Sequence, residues 1–166
     1  MKVKVKKISD KAVLPYKKYD EDFCYDVVAT SCEEVAPNIY KYGLGLAFQI
    51  ERDGLEPVVG HKNCNDYGYT INLNTTGANL SIDFRPRSSV WQTGMILSNC
   101  VGTIDELYTG EVSAVFYHIM PNMPKYEVGD RIGQIKIGVT LPIEFIEVEE
   151  LDKTARGDGG YGSTGR

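Results

Sequence analysis

Helix-forming periodicity is almost missing from this chain: apolar residues do not recur at helical spacing over any window long enough to build an amphipathic helix. That argues against bundles and alternating α/β architectures. No CxxC pair occurs among the four cysteines, Cys24, Cys32, Cys64 and Cys100, and only two histidines, His61 and His118, could join them. A zinc site is therefore disfavoured, and free thiols in a reducing compartment are expected. No apolar run approaches membrane-spanning length and no basic-then-apolar leader opens the chain, so the expected location is the cytoplasm, or the host cytoplasm if the source is viral. Positive charge is outnumbered too, 18 Lys and Arg against 23 Asp and Glu. With a net charge of -5 and a pI near 5.1, no basic stripe is available to displace counterions from a nucleic-acid backbone. Neither nucleic acid nor membrane is an expected partner.

What the chain does have is a series of short β-rich runs bounded by Gly, Pro, Asn and Asp. Val3, Val5 and Ile8 open the first within KVKVKKI, and others follow at 25–30, 44–51, 69–73, 80–84, 94–97, 111–118, 131–139 and 143–148. Their number and length point to an all-β domain, a sandwich or jelly-roll-like fold. One short helix fits after Arg87, where Ser88 or Ser89 could cap residues 90–93 before Gly94 ends them. At 166 residues the chain suits one domain with a sizeable core. That β domain is expected over 1–153, with 53–79 as an elaborated loop or insertion and 154–166 as a flexible arm. The acidic stretch 143–153 reads as a strand with one solvated face running into a linker.

Four segments could carry chemistry. The last eleven residues, RGDGGYGSTGR, hold five glycines between terminal arginines. Glycine lets backbone N-H groups turn toward an anion, and Arg, Ser and Thr add donors suited to phosphate, but a frayed terminus has the same composition. RPRSSV at 85–90 brings two arginines and two serines to the expected helix start, as a phosphate site or an ordinary surface loop. SNCVGTIDELYTGEV at 98–112 suggests a β-hairpin that could line a flat base, with Asp105 as a turn former or a reactive carboxylate. YEVGDRIGQIKI at 126–137 combines a Gly-Asp turn with a buried strand, and Asp130 and Arg131 could be no more than a surface ion pair.

Read in order, FCYDVVA at 23–29, RPRSSV, SNCVGTIDELYTGEV, VGDRIGQI and RGDGGYGSTG closely resemble the five motifs of the homotrimeric dUTPase family, the dUTP pyrophosphatases. The resemblance runs from Phe23 to the C-terminus, and the opening strand with its Leu14-Pro15 step is similar as well. It implies a distorted jelly-roll-like β fold assembled as a homotrimer, with active sites built from three chains. It further implies Mg2+-dependent hydrolysis of dUTP to dUMP and pyrophosphate, which keeps uracil out of DNA.

Carried onto this sequence, the resemblance assigns Asn99 and the backbone of Gly102, Thr103 and Ile104 to the uracil edge. Tyr108 would pack on the deoxyribose and leave no space for a 2'-hydroxyl, and Asp105 would hold and deprotonate the attacking water. Arg87, Ser88 and Gln134, with Ser89 beside them, would contact the phosphate chain, and Asp26 would hold waters on the magnesium. In the arm, Tyr161 would stack over uracil, while Arg156, Gly162, Ser163 and Thr164 would close around the γ-phosphate. Asp130 would pair with Arg87 structurally. The chain departs from the family at Phe23-Cys24, where Ala-Gly is usual, at Leu107, where an acid is usual, at Ser89, where glycine is frequent, and in the long 53–79 segment. Two other readings compete: a related dCTP deaminase, which would need a catalytic Glu such as Glu106 or Glu111, and a regulatory protein that uses 53–79 to bind a protein partner.

Overall fold

A computed structural model describes residues 1–52 and 78–160. Ten strands make up nearly all of its regular structure: β1 (Lys2–Lys7), β2 (Tyr25–Val28), β3 (Ser31–Ala36), β4 (Ile39–Gly43), β5 (Leu46–Glu51), β6 (Asn79–Arg85), β7 (Met95–Leu97), β8 (Gly102–Asp105), β9 (Ser113–His118) and β10 (Arg131–Thr140). Every strand pair is antiparallel. The strands form one four-stranded sheet in the order β2-β10-β6-β8, a second in the order β3-β4-β9-β7, and a β1-β5 ribbon. The all-β, jelly-roll-like expectation is met.

Alternation decides which side chains meet between the sheets. In β6, Leu80, Ile82 and Phe84 are buried while the residues between them are not, and β9 buries Ala114, Phe116 and His118 in the same rhythm. Phe116 sits at the centre, with edge-on ring contacts to Phe84, Tyr42 and Tyr126 at 6.3, 5.9 and 5.4 Å between centroids. The Tyr42 hydroxyl enters this apolar centre because it donates to the Tyr126 carbonyl at 2.8 Å. Gly133 on β10 lets the far edge of the Phe84 ring come up against the backbone, where a Cβ would collide with its Cζ.

Four sequence expectations need correction. The short helix exists as a 3-10 turn over Ser88–Thr93, but its N-cap is Arg87 rather than a serine, and no side chain caps it. Gly94 closes it at φ 60, as expected. Residues 98–112 do not fold as a local hairpin. Their strand β8 pairs instead with β6, Gly102 opposite Phe84 and Asp105 opposite Ser81, because apolar Ile104 faces the core from a position that only the larger sheet supplies. Residues 143–148 form no strand. Ile143, Phe145, Ile146 and Val148 all stand exposed, and the segment pairs with none of the described strands. Finally, 31–43 holds an unexpected strand pair, β3 and β4, turned at Pro37-Asn38 with Asn38 at φ 61, the left-handed position that Asn tolerates after proline in a tight turn.

The expected strand at 69–73 and most of the 53–79 segment lie outside the described residues. The three described cysteines, Cys24, Cys32 and Cys100, are free.

Candidate active site

Asp26 is a carboxylate on an edge strand, yet it is only 7% exposed. A buried carboxylate needs donors, and three converge on it: Arg87 Nε at 3.2 Å and Gln134 Nε2 at 3.1 Å on Oδ1, and an Arg131 Nη at 2.9 Å on Oδ2. These side chains come from β2, from the cap of the 3-10 turn and from β10, so residues far apart in sequence meet at one atom pair. Arg131 and Gln134 are three positions apart and would leave a regular strand on opposite faces. A register shift between Arg131 and Gly133 brings both to Asp26.

This node changes two sequence expectations. Arg87 pairs with Asp26, whereas Asp130 spends its carboxylate on the Glu127 N-H at 2.8 Å, closing its own turn. Arg131 is likewise no surface partner of Asp130 but part of the buried node. Sequence reasoning missed it, although Gly133 inside an apolar strand is the usual mark of a bulge.

The contact also orients Arg87. Only its Nε is engaged by Asp26, which leaves both terminal nitrogens of the fork for an anion. Ser88 is exposed and Ser89 half-buried immediately beyond it. Gln134 keeps its amide oxygen and one N-H beyond the bond to Asp26.

Asp26 receives two donors on Oδ1 and one on Oδ2, so a single lone-pair direction remains. With two guanidinium groups beside it, the carboxylate suits a water on a cation better than the cation itself. Among the described residues no three His, Cys, Asp or Glu side chains gather as a metal cage. The set fits magnesium held by phosphate oxygens and waters, the arrangement this ion favours.

Asp105 lies at the other edge of the same sheet. It ends β8, is exposed, and among the described residues its carboxylate accepts no hydrogen bond. Its carbonyl accepts the Tyr108 N-H at 3.0 Å, so Asp105 and Tyr108 frame one tight turn. The Tyr108 hydroxyl donates to the Glu111 carbonyl at 3.0 Å, which holds the half-exposed ring over Gly110. Leu107, at the turn's tip, is 92% exposed and leaves Asp105 untouched. Asn99 and Thr103 are exposed, Ile104 half-buried and Gly102 buried; the Asn99 amide nitrogen lies 3.5 Å from where a Cβ on Gly102 would stand.

Three inter-strand steps and four residues along β6 separate Asp26 from Asp105, roughly 20 Å at ordinary β spacings. One chain thus brings Asp26, Arg87 and Gln134 together, and separately Asn99 with Gly102 and Asp105 with Tyr108, but not the first group with the second. Arg156 is exposed and folds back to the Gly159 carbonyl at 2.9 Å. Tyr161, Gly162, Ser163 and Thr164 lie outside the described residues.

A β sandwich with arginine, serine and glutamine at one sheet edge and a free strand-end carboxylate at the other has the chemical make-up of a phosphoanhydride hydrolase. The family model for dUTPase matches residues 82–165. The chain is 32% identical to the deoxyuridine 5'-triphosphate nucleotidohydrolase of Nautilia profundicola, with both chains covered in full, and 29% identical to that of Helicobacter pylori, over 99% of this chain and 97% of the relative. In fold it is similar to a variant of the dUTPase of Staphylococcus bacteriophage 80alpha solved with dUpNHpp, at a TM-score of 0.71, 19% identity and 99% coverage of each chain. It is also similar to a variant dUTPase from phage phi11 of S. aureus described as coordinating a structural Mg(II) ion, at a TM-score of 0.63 and 15% identity over 92% of this chain and 100% of that one. The chain belongs to the dUTPase family, and it is an enzyme of the dUTP diphosphatase type.

Proposed function

We propose that the chain hydrolyses dUTP to dUMP and pyrophosphate at sites shared between three copies. The separation of Asp26 from Asp105 carries the shared-site reading: a nucleotide cannot touch both edges of one sheet, so the phosphate cluster of one copy must face the Asp105 turn of another. Two surfaces are available for assembly. Residues 143–151 present Ile143, Phe145, Ile146 and Val148 to solvent among acidic neighbours. An apolar groove of about 480 Å³, lined by Val3, Val5, Leu14 and Ile137 and bordered by Lys136, lies beside the lysine-rich β1. Strand addition of that segment to a neighbouring copy would satisfy both.

In the reaction, Asp105 accepts a proton from a water as its oxygen bonds to the α-phosphorus. The bond from that phosphorus to the bridging oxygen breaks, and pyrophosphate leaves. An unpaired, exposed carboxylate at a strand end is free to take that proton. Arg87, Ser88, Ser89 and Gln134 hold the triphosphate, with Asp26 keeping the Arg87 fork aimed outward. When bound, Mg2+ offsets phosphate charge, and Asp26 Oδ2 would hold one of its waters. Asn99 and the backbone of Gly102, Thr103 and Ile104 read uracil, and Tyr108 closes the space a 2'-hydroxyl would need. Arg156, Tyr161, Gly162, Ser163 and Thr164 form the arm that covers the bound nucleotide and excludes water.

The deaminase alternative loses support from its own candidates. Glu106 is tied to Arg52 and the Leu80 N-H, and one Glu111 oxygen accepts the Gly45 N-H at 2.8 Å, so both carboxylates are engaged in holding the fold. The regulatory reading rests on 53–79, most of which lies outside the described residues, and no geometry supports it.

A nucleotide panel tests the function. With magnesium, pyrophosphate should come from dUTP and not from dCTP, dTTP or UTP. Equal turnover of all four would remove the specificity argument, and ammonia release from dCTP would restore the deaminase.

A further inference from the structure

Glu106 follows Asp105 directly, and its carboxylate is engaged from two directions. The Arg52 guanidinium meets it with Nε and a terminal nitrogen, one on each oxygen, and the Leu80 N-H donates to Oε2 at 3.1 Å. Three strands are joined by this one group: Arg52 follows β5, Leu80 is the second residue of β6, and Glu106 follows β8. The β8 ladder to β6 ends at the Asp105–Ser81 pair, so Glu106 holds the chain where strand pairing stops.

The residues hung from this point are the ones the reaction uses. Asp105 and Tyr108 are the two ends of the turn, and Glu106 is its inward anchor, opposite the exposed Leu107. An exposed strand end frays unless something ties it, and a small misplacement of a catalytic group can cost up to about a hundredfold in rate. A bidentate guanidinium–carboxylate pair fixes direction as well as distance, which a single ammonium does not. The Arg52 hydrogen bonds also hold the Glu106 carboxyl below the usual glutamate range, so the anchor stays ionised at working pH.

We propose that Arg52 and Glu106 are positioning residues for this reaction: their pairing, completed by the Leu80 N-H, aims the Asp105 carboxylate and sets the Tyr108 ring that discriminates against a 2'-hydroxyl. The inference rests on the dUTP-hydrolysis reading above. It goes beyond that reading because neither residue touches the nucleotide.

The test is steady-state kinetics on dUTP and UTP for the full chain and its Arg52→Ala, Arg52→Lys, Glu106→Gln and Arg52→Ala/Glu106→Gln variants, each with its melting temperature. Arg52→Ala and Glu106→Gln should each lower kcat about tenfold with KM changed less than about twofold, as lost aim rather than lost binding requires. The preference for dUTP over UTP should fall with kcat. Arg52→Lys should recover part of the rate, and the double variant should lose no more than the worse single one, since the two residues act as a unit. If melting falls while kcat and the dUTP preference stay at wild-type values, or if the two losses multiply, the pair is merely structural and the proposal fails. Should Arg52→Ala not fold, Glu106→Gln and Arg52→Lys decide the same question. Absence of dUTP turnover in the unaltered chain would instead overturn the function reading itself.

Discussion

Two aspartates occupy opposite edges of one sheet and are treated in opposite ways. Asp26 is buried, accepts three donors and is shared among β2, β10 and the cap of the 3-10 turn. Asp105 is exposed, carries no hydrogen bond on its carboxylate among the described residues, and is held only through its backbone and through the side chain of the residue that follows. The difference suits the role proposed for each. A carboxylate that organises arginines for phosphate gains from fixed, charge-assisted bonds. One that takes a proton from water has to keep its oxygens free, so its direction must come from somewhere other than its own hydrogen bonds.

The largest effect should come from the free aspartate. Asp105→Asn keeps the shape and removes the base, so kcat for dUTP should fall at least about a hundredfold. Melting temperature and dUTP affinity should stay unchanged. Activity surviving intact would mean that the base lies elsewhere and that the contrast between the two residues has no chemical content.

Truncation after Lys153 comes next. It leaves both aspartates in place and removes the arm, so turnover should drop on the order of tenfold while the oligomeric state stays that of the full chain on a sizing column. Normal kinetics would show that no cover is needed at either edge.

Asp26→Ala inverts the pattern. It strands three donors, two of them partly solvated, and should cost about 1–3 kcal/mol in denaturant unfolding after allowance for that exposure. KM for dUTP should rise more than kcat falls, because the Arg87 fork loses its orientation. A loss confined to kcat would place Asp26 with the chemistry instead.

The smallest effect separates the core from both edges. Burial raises the Tyr42 hydroxyl above its ordinary value near 10, with the Cys32 thiol adding to it, and burial likewise raises Tyr126 against an opposing pull from Arg87. Both stay protonated in the folded chain after their unfolded counterparts have ionised. Their contribution is therefore full below about pH 10 and lost as pH rises above it. Melting temperature should fall there, and Tyr42→Phe should flatten the slope.

Alternating runs such as 80–84 and 111–118 are legible in the sequence because each carries its own buried face, and the structure pairs both. β3 is not, since Ser31, Cys32, Glu33 and Glu34 are all exposed on an edge and show no apolar rhythm. The Pro37-Asn38 turn was the available signal for that pair. Residues 143–148 fail in the other direction: they have strand composition but pair with none of the described strands, and a strand is a property of two segments.

The site divides in the same way. Five motifs in order identify the family and name Asp105, Tyr108, Arg87 and Gln134, because residue type and spacing are written locally. Arg131 and Arg52 are not legible, since one reaches Asp26 through a bulge and the other reaches Glu106 across 54 positions of sequence.

By itself, then, the sequence determined the all-β class, the short turn ended by Gly94, and the dUTPase chemistry, all of which depend on neighbouring residues and their order. Tertiary structure alone decided which charges meet. Strand order and register set the partners of Asp26, separated it from Asp105 by the width of a sheet, and locked Glu106 beneath the turn. Hydrogen bonds act over a few ångströms, and only folding brings residues of distant strands within that reach.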